Sequence, residues 1–331
     1  MKHLTQWSRR LIAIVALAGF AAMFSAGTQA AEPVRIALGD VVSVETLAFV
    51  VAMERAKDRG VDYEMTAFSK EELAIQALIN GDANIGVGTP YSVIQKTNVP
   101  LRIFFQMSRL VFFPVASVEY ETWQDLNGEP FTFHARGTGT EAIGNIIAAR
   151  EGIEFGERSY VPGSENRIVA MMNGQIKATI VDLANKNILM EQAGDQFHVL
   201  PGLEVPASDE VLFARQDWLT DNPETVSIIV EELLGVWREM NENPAIIEEE
   251  RASRGLLEDM PPEILAEVTP FYTEGTEAGL FDPDGGSRET ALVDFDFYVE
   301  AGQMDGPADG LVVEDYWYLE PLDAAKAKLD N

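Results

Sequence analysis

The sequence contains no cysteine. That absence removes disulfides, thiolate metal ligands, thiol nucleophiles and an acylated cysteine at a processed N-terminus. Histidine is scarce too, at three in 331 residues. One is His3; the others, His134 and His198, stand far apart. No His/Cys cluster for a metal, no Ser-His-Asp spacing and no phosphate loop appears. Basic residues are few: 24 against 54 acidic ones, for a formal net charge of -30. A surface that acidic repels nucleic acid and anionic membrane, so both are poor partners; it is also of a kind found in saline habitats.

The apolar run from Leu11 to Phe24 is too short to span a bilayer comfortably. Lys2, Arg9 and Arg10 precede it, and Thr28-Gln29-Ala30 before Ala31 reads as a cleavage site. Residues 1–30 are therefore expected to be a Sec-type signal peptide, since Leu11-Ile12-Ala13 departs from the twin-arginine pattern after Arg9-Arg10. Its loss makes the mature chain more acidic still. The expected location is the periplasm of a Gram-negative cell, as a freely diffusing protein and not a lipoprotein.

What is present is a repeat. Asn80-Gly81 and Asn173-Gly174 each end a helical pattern. A short apolar strand follows each, Ile85-Gly86-Val87 and Ala178–Val181, and runs into a polar turn, Gly88–Ser92 and Asp182–Asn185. About fifty residues upstream of each copy lies another strand and turn: Val34–Leu38 into Gly39–Ser43, and Phe131–His134 into Arg136–Thr140. Two similar α/β halves that end strands in polar helix starts describe a two-lobed binder, because ligands of open α/β sheets collect at strand carboxyl ends.

Periodicity predicts helices over Glu45–Arg59, Pro223–Met240, Pro262–Tyr272, Arg288–Ala301 and Val313–Lys328, and strands over Tyr63–Phe68, Leu101–Phe105, Val111–Val118 and Val211–Ala214. Pro114 is expected to break its strand. Capping boxes are expected at Ser69/Glu72 and Thr138/Glu141, with Leu73, Ala74, Ala77 and Leu78 as a buried stripe. Asp282–Gly286 mimics a calcium loop but lacks its alternation and final Glu, and reads as a turn.

Helix N-termini present unpaired N–H groups and a positive dipole end, which favour an anion. Gly137-Thr138-Gly139-Thr140 suits that role: its glycines admit the ligand to the backbone, and Thr138 and Thr140 add hydroxyls. Arg109 and Arg136 are candidates for a charged clamp or for solvated surface arginines. Ser43, Thr89 and Tyr91 are candidate contacts, with capping and packing as their alternatives. Asp40 and Asp182 argue against a purely anionic ligand, because an acid there pairs a cationic or NH-bearing group; each also suits an N-cap. His134 is a possible contact, His198 an ordinary strand residue. Phe49, Tyr91, Phe112 and Phe113 suit stacking or the core equally. A Cβ at Gly139 is expected to intrude on the ligand while sparing the fold.

The order of elements resembles the periplasmic solute-binding proteins of ABC importers, in the nitrate/taurine/sulfonate group (SsuA/THI5-like, NMT1). Its carriers are Gly88-Thr89-Pro90 after the Asn-Gly unit, Trp123-Gln124-Asp125-Leu126-Asn127-Gly128 before a strand, the Gly137–Glu141 turn, Ala170-Met171-Met172-Asn173-Gly174 before Val181-Asp182, and Pro223-Glu224-Thr225-Val226 leading a helix with Trp237. The resemblance implies a type II periplasmic binding protein fold with a hinge of two crossover strands, Val111–Val118 and Val211–Ala214. Lobe I would hold 31–116 plus 212–331 and lobe II 117–211. It further implies a monomer that captures a small organic anion, a sulfonate (taurine-like) or carboxylate, and delivers it to an inner-membrane permease. The alternatives are a thiamine- or flavin-precursor heterocycle as ligand, a role presenting ligand to a membrane receptor, and a pyrimidine synthase. That enzyme needs a pyridoxal-bearing lysine, histidines and a cysteine-rich stretch, so a chain without cysteine is expected to be no enzyme and to need no cofactor.

Overall fold

Each Asn-Gly step stops a helix in the same way. Gly81 and Gly174 take left-handed φ values of 81° and 70°, a conformation glycine adopts without a Cβ penalty. The computed structural model describes residues 32–39, 42–68 and 70–330; the expected signal peptide, residues 1–30, and Ala31, Asp40 and Ser69 lie outside the described residues.

In chain order the first half runs β1 (Val34–Leu38), α1 (Leu47–Asp58), β2 (Tyr63–Ala67), α2 (Glu71–Asn80), β3 (Ile85–Gly88), α3 (Tyr91–Lys96) and β4 (Leu101–Gln106). The second runs β5 (Phe112–Ser117), β6 (Phe131–Phe133), α4 (Gly139–Glu151), β7 (Arg158–Tyr160), α5 (Ser164–Met172), β8 (Ala178–Asp182), α6 (Leu183–Ala193) and β9 (Phe197–Val199). Then β10 (Val211–Arg215) leads into α7 (Gln216–Asp221), α8 (Pro223–Glu242), α9 (Ile246–Arg254), α10 (Pro262–Leu265), α11 (Val268–Glu277), α12 (Arg288–Glu300) and α13 (Glu320–Leu329). The expected helix over Pro262–Tyr272 is thus two. That over Val313–Lys328 is a 3-10 turn at Val313–Asp315 and a separate helix whose first turn carries a proline, which has no N–H to continue a preceding helix.

These strands build two five-stranded sheets, ordered β2-β1-β3-β10-β4 and β7-β6-β8-β5-β9. The repeat seen in the sequence occupies equivalent places. In one sheet β1 pairs in parallel with β2 and β3; in the other β6 pairs in parallel with β7 and β8. An antiparallel strand then follows, β10 beside β3 and β5 beside β8. This is the expected mixed α/β class, built on two five-stranded sheets.

Pro114 does not break β5. It pairs with Ile180 of β8, while the ladder to β9 begins at Val115, so its missing N–H falls beyond the β9 pairing. Leu73 is 48% exposed rather than part of the α2 stripe, whereas Ala74, Ala77 and Leu78 are buried. In α8, Val226, Ile229, Val230, Leu233, Leu234, Val236, Trp237 and Met240 are buried, a stripe at helical spacing. Each such side chain contributes about 1.5–3 kcal/mol by leaving water.

The expected crossovers Val111–Val118 and Val211–Ala214 are instead strands inside the sheets, β5 and β10; the chain passes between the sheets through 107–111 and 200–210, and the two segments pair. Met107 N–H donates to the Glu210 carbonyl, Asp209 N–H to that of Ser108 and Leu110 N–H to that of Ala207, each at 2.9 Å. Helix α12 buttresses this crossing. Asp294 accepts from the Ser208 N–H at 2.7 Å and the Ser208 hydroxyl at 2.9 Å, and the Tyr298 hydroxyl donates to the Ser208 carbonyl at 2.7 Å. Among the described residues no helix is long and apolar enough to cross a membrane.

Candidate functional site

The carboxyl ends of β3, β6 and β8 meet the starts of α4, α5 and α6 at a cleft of about 150 Å³. Strand β10 is antiparallel to β3 and β4, pairing Val211 with both Gly88 and Gln106. Its beginning therefore reaches the same place and brings Asp209 and Glu210 into the lining. Apolar walls come from Met107, Phe112, Trp237, Phe271 and Phe281.

Of the residues expected from the sequence, Thr89, Thr138, Gly139, Thr140 and Asp182 line this cleft. Their hydroxyls and carboxylate largely organise the cleft itself. The Thr89 hydroxyl donates to the Asp209 carbonyl at 3.0 Å, and the Thr89 N–H donates to Glu71. The Thr140 hydroxyl accepts from the His134 N–H at 3.1 Å. The capping box at Thr138 takes a different form: its hydroxyl donates to the Ala135 carbonyl at 2.8 Å, and Glu141 accepts from the Gly137 N–H at 2.8 Å. Asp182 caps α6 by accepting from the Asn185 N–H at 2.8 Å. The first N–H groups of α4 and α5 have no carbonyl within their own helices to bond, and both helix starts are part of the lining.

Other expected residues are placed elsewhere. Tyr91 is buried, stacks on Tyr298 at 4.5 Å and donates its hydroxyl to Asp294, so it belongs to the hinge core. Arg109 pairs with Asp282 at 2.5 Å. Arg136 lies exposed over the Tyr160 ring at 4.8 Å. Ser43 accepts from the Glu45 N–H at 3.2 Å in the turn before α1. Phe49 is core, and Phe113 sits under Lys186. Asp282–Gly286 is a turn closed by Gly285 N–H to the Asp282 carbonyl at 3.0 Å. His134 lines the cleft, and its Nδ1 accepts from the Gly163 N–H at 3.2 Å; His198 bonds the Tyr120 carbonyl from β9 at 2.7 Å.

Three groups escaped the sequence reading. Arg167, the single arginine of the lining among the described residues, is fully buried. It donates to the Val161 carbonyl at 2.9 Å, the Ile180 carbonyl at 3.0 Å and the Ser164 hydroxyl at 2.8 Å. Its position on the inner face of a helix opened by Ser164 was the available signal. Asp209 and Glu210 form the second group, and Glu71 the third. Burial, together with the charges of Glu210, Glu71 and Asp182, raises the Asp209 carboxyl well above the ordinary carboxylate range. Gly139 has less room than expected: a Cβ there would meet Leu110 Cδ2 at 2.2 Å and Asp209 Oδ1 at 2.8 Å. Any side chain at that position presses on the crossing segments as well as on a ligand.

The cleft therefore has two electrical characters. Arg167 and the starts of α4 and α5 share the lining with the carboxyl groups of Glu71, Glu165, Asp182, Asp209 and Glu210, and Asp209 itself lies against the α4 start at Gly139.

A model of the family described as NMT1/THI5 like matches residues 46–247. Among solved structures, a protein from Bordetella bronchiseptica RB50 is 20% identical, with a TM-score of 0.72 over 90% of this chain and 98% of that one. The periplasmic nitrate-binding protein NrtA from Synechocystis is 13% identical, with a TM-score of 0.67 over 90% of both chains. The alkanesulfonate-binding protein SsuA from Xanthomonas axonopodis pv. citri, bound to MOPS, is 15% identical, with a TM-score of 0.60 over 86% of this chain and 98% of that one. No curated protein matches the chain in sequence.

Proposed function

The chain belongs to the NMT1/THI5-like family, and from that premise we propose that it is the periplasmic solute-binding component of an ABC importer. It captures a small organic molecule that carries a sulfonate or carboxylate at one end and an amine or other N–H group at the other. The observation that carries this reading is a single lining that combines Arg167 and the starts of α4 and α5 with the carboxyl groups of Asp209, Glu210 and Glu71. An anion at the α4 and α5 starts gains from unpaired N–H groups and the helix dipoles, about 0.3–1 kcal/mol per helix from the dipole alone. An ammonium group beside Asp209 favours its ionised form, which burial and, after it, the neighbouring charges of Glu210, Glu71 and Asp182 disfavour. A purely anionic solute supplies no such group. The likeness to sulfonate- and nitrate-binding proteins supports the anionic end.

Binding proceeds by closure about the two paired crossing segments, without chemical change to the ligand, and the closed monomer passes its ligand to a membrane permease. The test is a thermal-shift and calorimetric comparison of taurine, ethanesulfonate and putrescine. Taurine is expected to stabilise most, because it alone carries both charges. Stabilisation by putrescine alone would overturn the anionic end; equal binding of ethanesulfonate and taurine would overturn the amine end. Recovery of a chemically altered ligand would overturn binding without turnover.

A further inference from the structure

We propose that Gln303 is a positioning residue for the ligand turn Gly137–Thr140, holding the start of α4 in the place where it meets ligand; the inference rests on the binding reading above. Gln303 comes from the chain after α12, far from the cleft in sequence, and is 8% exposed. Its Nε2 donates to the Thr138 carbonyl at 3.1 Å. That carbonyl also accepts the first helical bond of α4, from the Ala142 N–H at 3.0 Å. Both of its acceptor directions are thus used, and the second donor fixes where the helix begins.

The donor itself stands on a firm base. Gly302 takes a φ of 70° to end α12, and Gln303 and Met304 N–H return to the Tyr298 carbonyl at 3.0 and 3.1 Å. Tyr298 in turn bonds Ser208 in the crossing. On one side the Asn145 Nδ2 of α4 donates to the Ala301 carbonyl at 3.0 Å. On the other, Gln95 of α3 and Asp305 exchange two bonds, of 2.8 and 2.7 Å. The segment 301–305 is therefore tied to the hinge and to a helix of each lobe, and Gln303 carries that fixed reference to the turn.

The experiment compares wild type with Gln303→Leu and Gln303→Met, which fill a similar space but cannot donate to a carbonyl. Hydrogen exchange of the ligand-free proteins is followed over residues 136–142, with urea denaturation beside it and calorimetric titration with taurine as the binding probe. Both variants are expected to exchange on the order of tenfold faster over that turn alone, the mark of local opening, with a nearly unchanged denaturation midpoint. Taurine affinity is expected to fall about fivefold, the ratio one neutral hydrogen bond supplies. Wild-type exchange over 136–142 in both variants would overturn the proposal. So would faster exchange spread evenly through α4 and α12, which marks packing rather than positioning. If wild type binds no taurine, the ligand assignment fails while the exchange result still decides the role of Gln303.

Discussion

Asp294 is a carboxyl group with no access to water. Burial pushes it up from 3.8 to about 6, against the opposing pull of Ser208, Tyr91 and the Arg109 charge. A raised value means that the folded state binds the proton more tightly than the unfolded one. The resulting stability is fully present below the ordinary carboxylate pKa and is lost as pH rises through about 6. A rise of that size corresponds to roughly 3 kcal/mol. Asp294→Asn has no proton to lose, so wild type should weaken relative to that variant between about pH 4 and 7. Urea denaturation across that range checks it, and a constant difference between the two proteins would refute it. Single residues were legible in the sequence where chemistry sits beside a strand end. Thr89 and Asp182 stand at the ends of apolar strands, Thr138 and Thr140 in the turn that follows β6, and all four line the cleft. Asp209 and Glu210 precede a strand instead, and they reach the cleft because β10 is inserted antiparallel, which periodicity does not reveal.

Helices and strands were more legible than residues because their signals are local. The left-handed glycines after Asn80 and Asn173 and the apolar stripe of Pro223–Glu242 depend on nearby sequence alone. Where tertiary context decides, the pattern misleads: Leu73 fits a stripe yet stands in solvent, and Pro114 sits inside a strand whose second neighbour starts one residue later. One contact between elements has a consequence for closure. Asn187 of α6 donates to Glu274 of α11 at 2.5 Å in an exposed position, and α11 also contributes Phe271 and Gly275 to the cleft wall. Glu274→Ala removes that acceptor and should weaken the closed state by about 0.5–1.5 kcal/mol. A larger radius of gyration for the ligand-free variant in X-ray scattering is the expected result; an unchanged radius would show that the pair does not hold the lobes.

At the scale of the molecule, charge dominates. A net charge of -30 opposes compaction through self-repulsion, and salt screens that repulsion within a few ångström at molar concentration. Ion pairs exposed on both sides, such as Arg150–Glu300 and Lys177–Glu119, offset little of it, at about 0–1 kcal/mol each. Raising sodium chloride from low to molar concentration should therefore raise the melting temperature. A fall in melting temperature would show that screened attractions outweigh the self-repulsion.

The placement of β10 also orders the birth of the protein. All five strands of the second sheet lie between Phe112 and Val199, whereas the first sheet awaits Val211–Arg215 for the strand between β3 and β4. As the chain emerges from the ribosome, the later-made half has every strand it needs while the earlier-made half still lacks one inside its sheet. The first hundred residues must stay unpaired on that side until more than twice their length has been synthesised. A nascent chain so arranged is slow to close on itself from its leading end, and it stays threadable for longer than one whose first domain is contiguous.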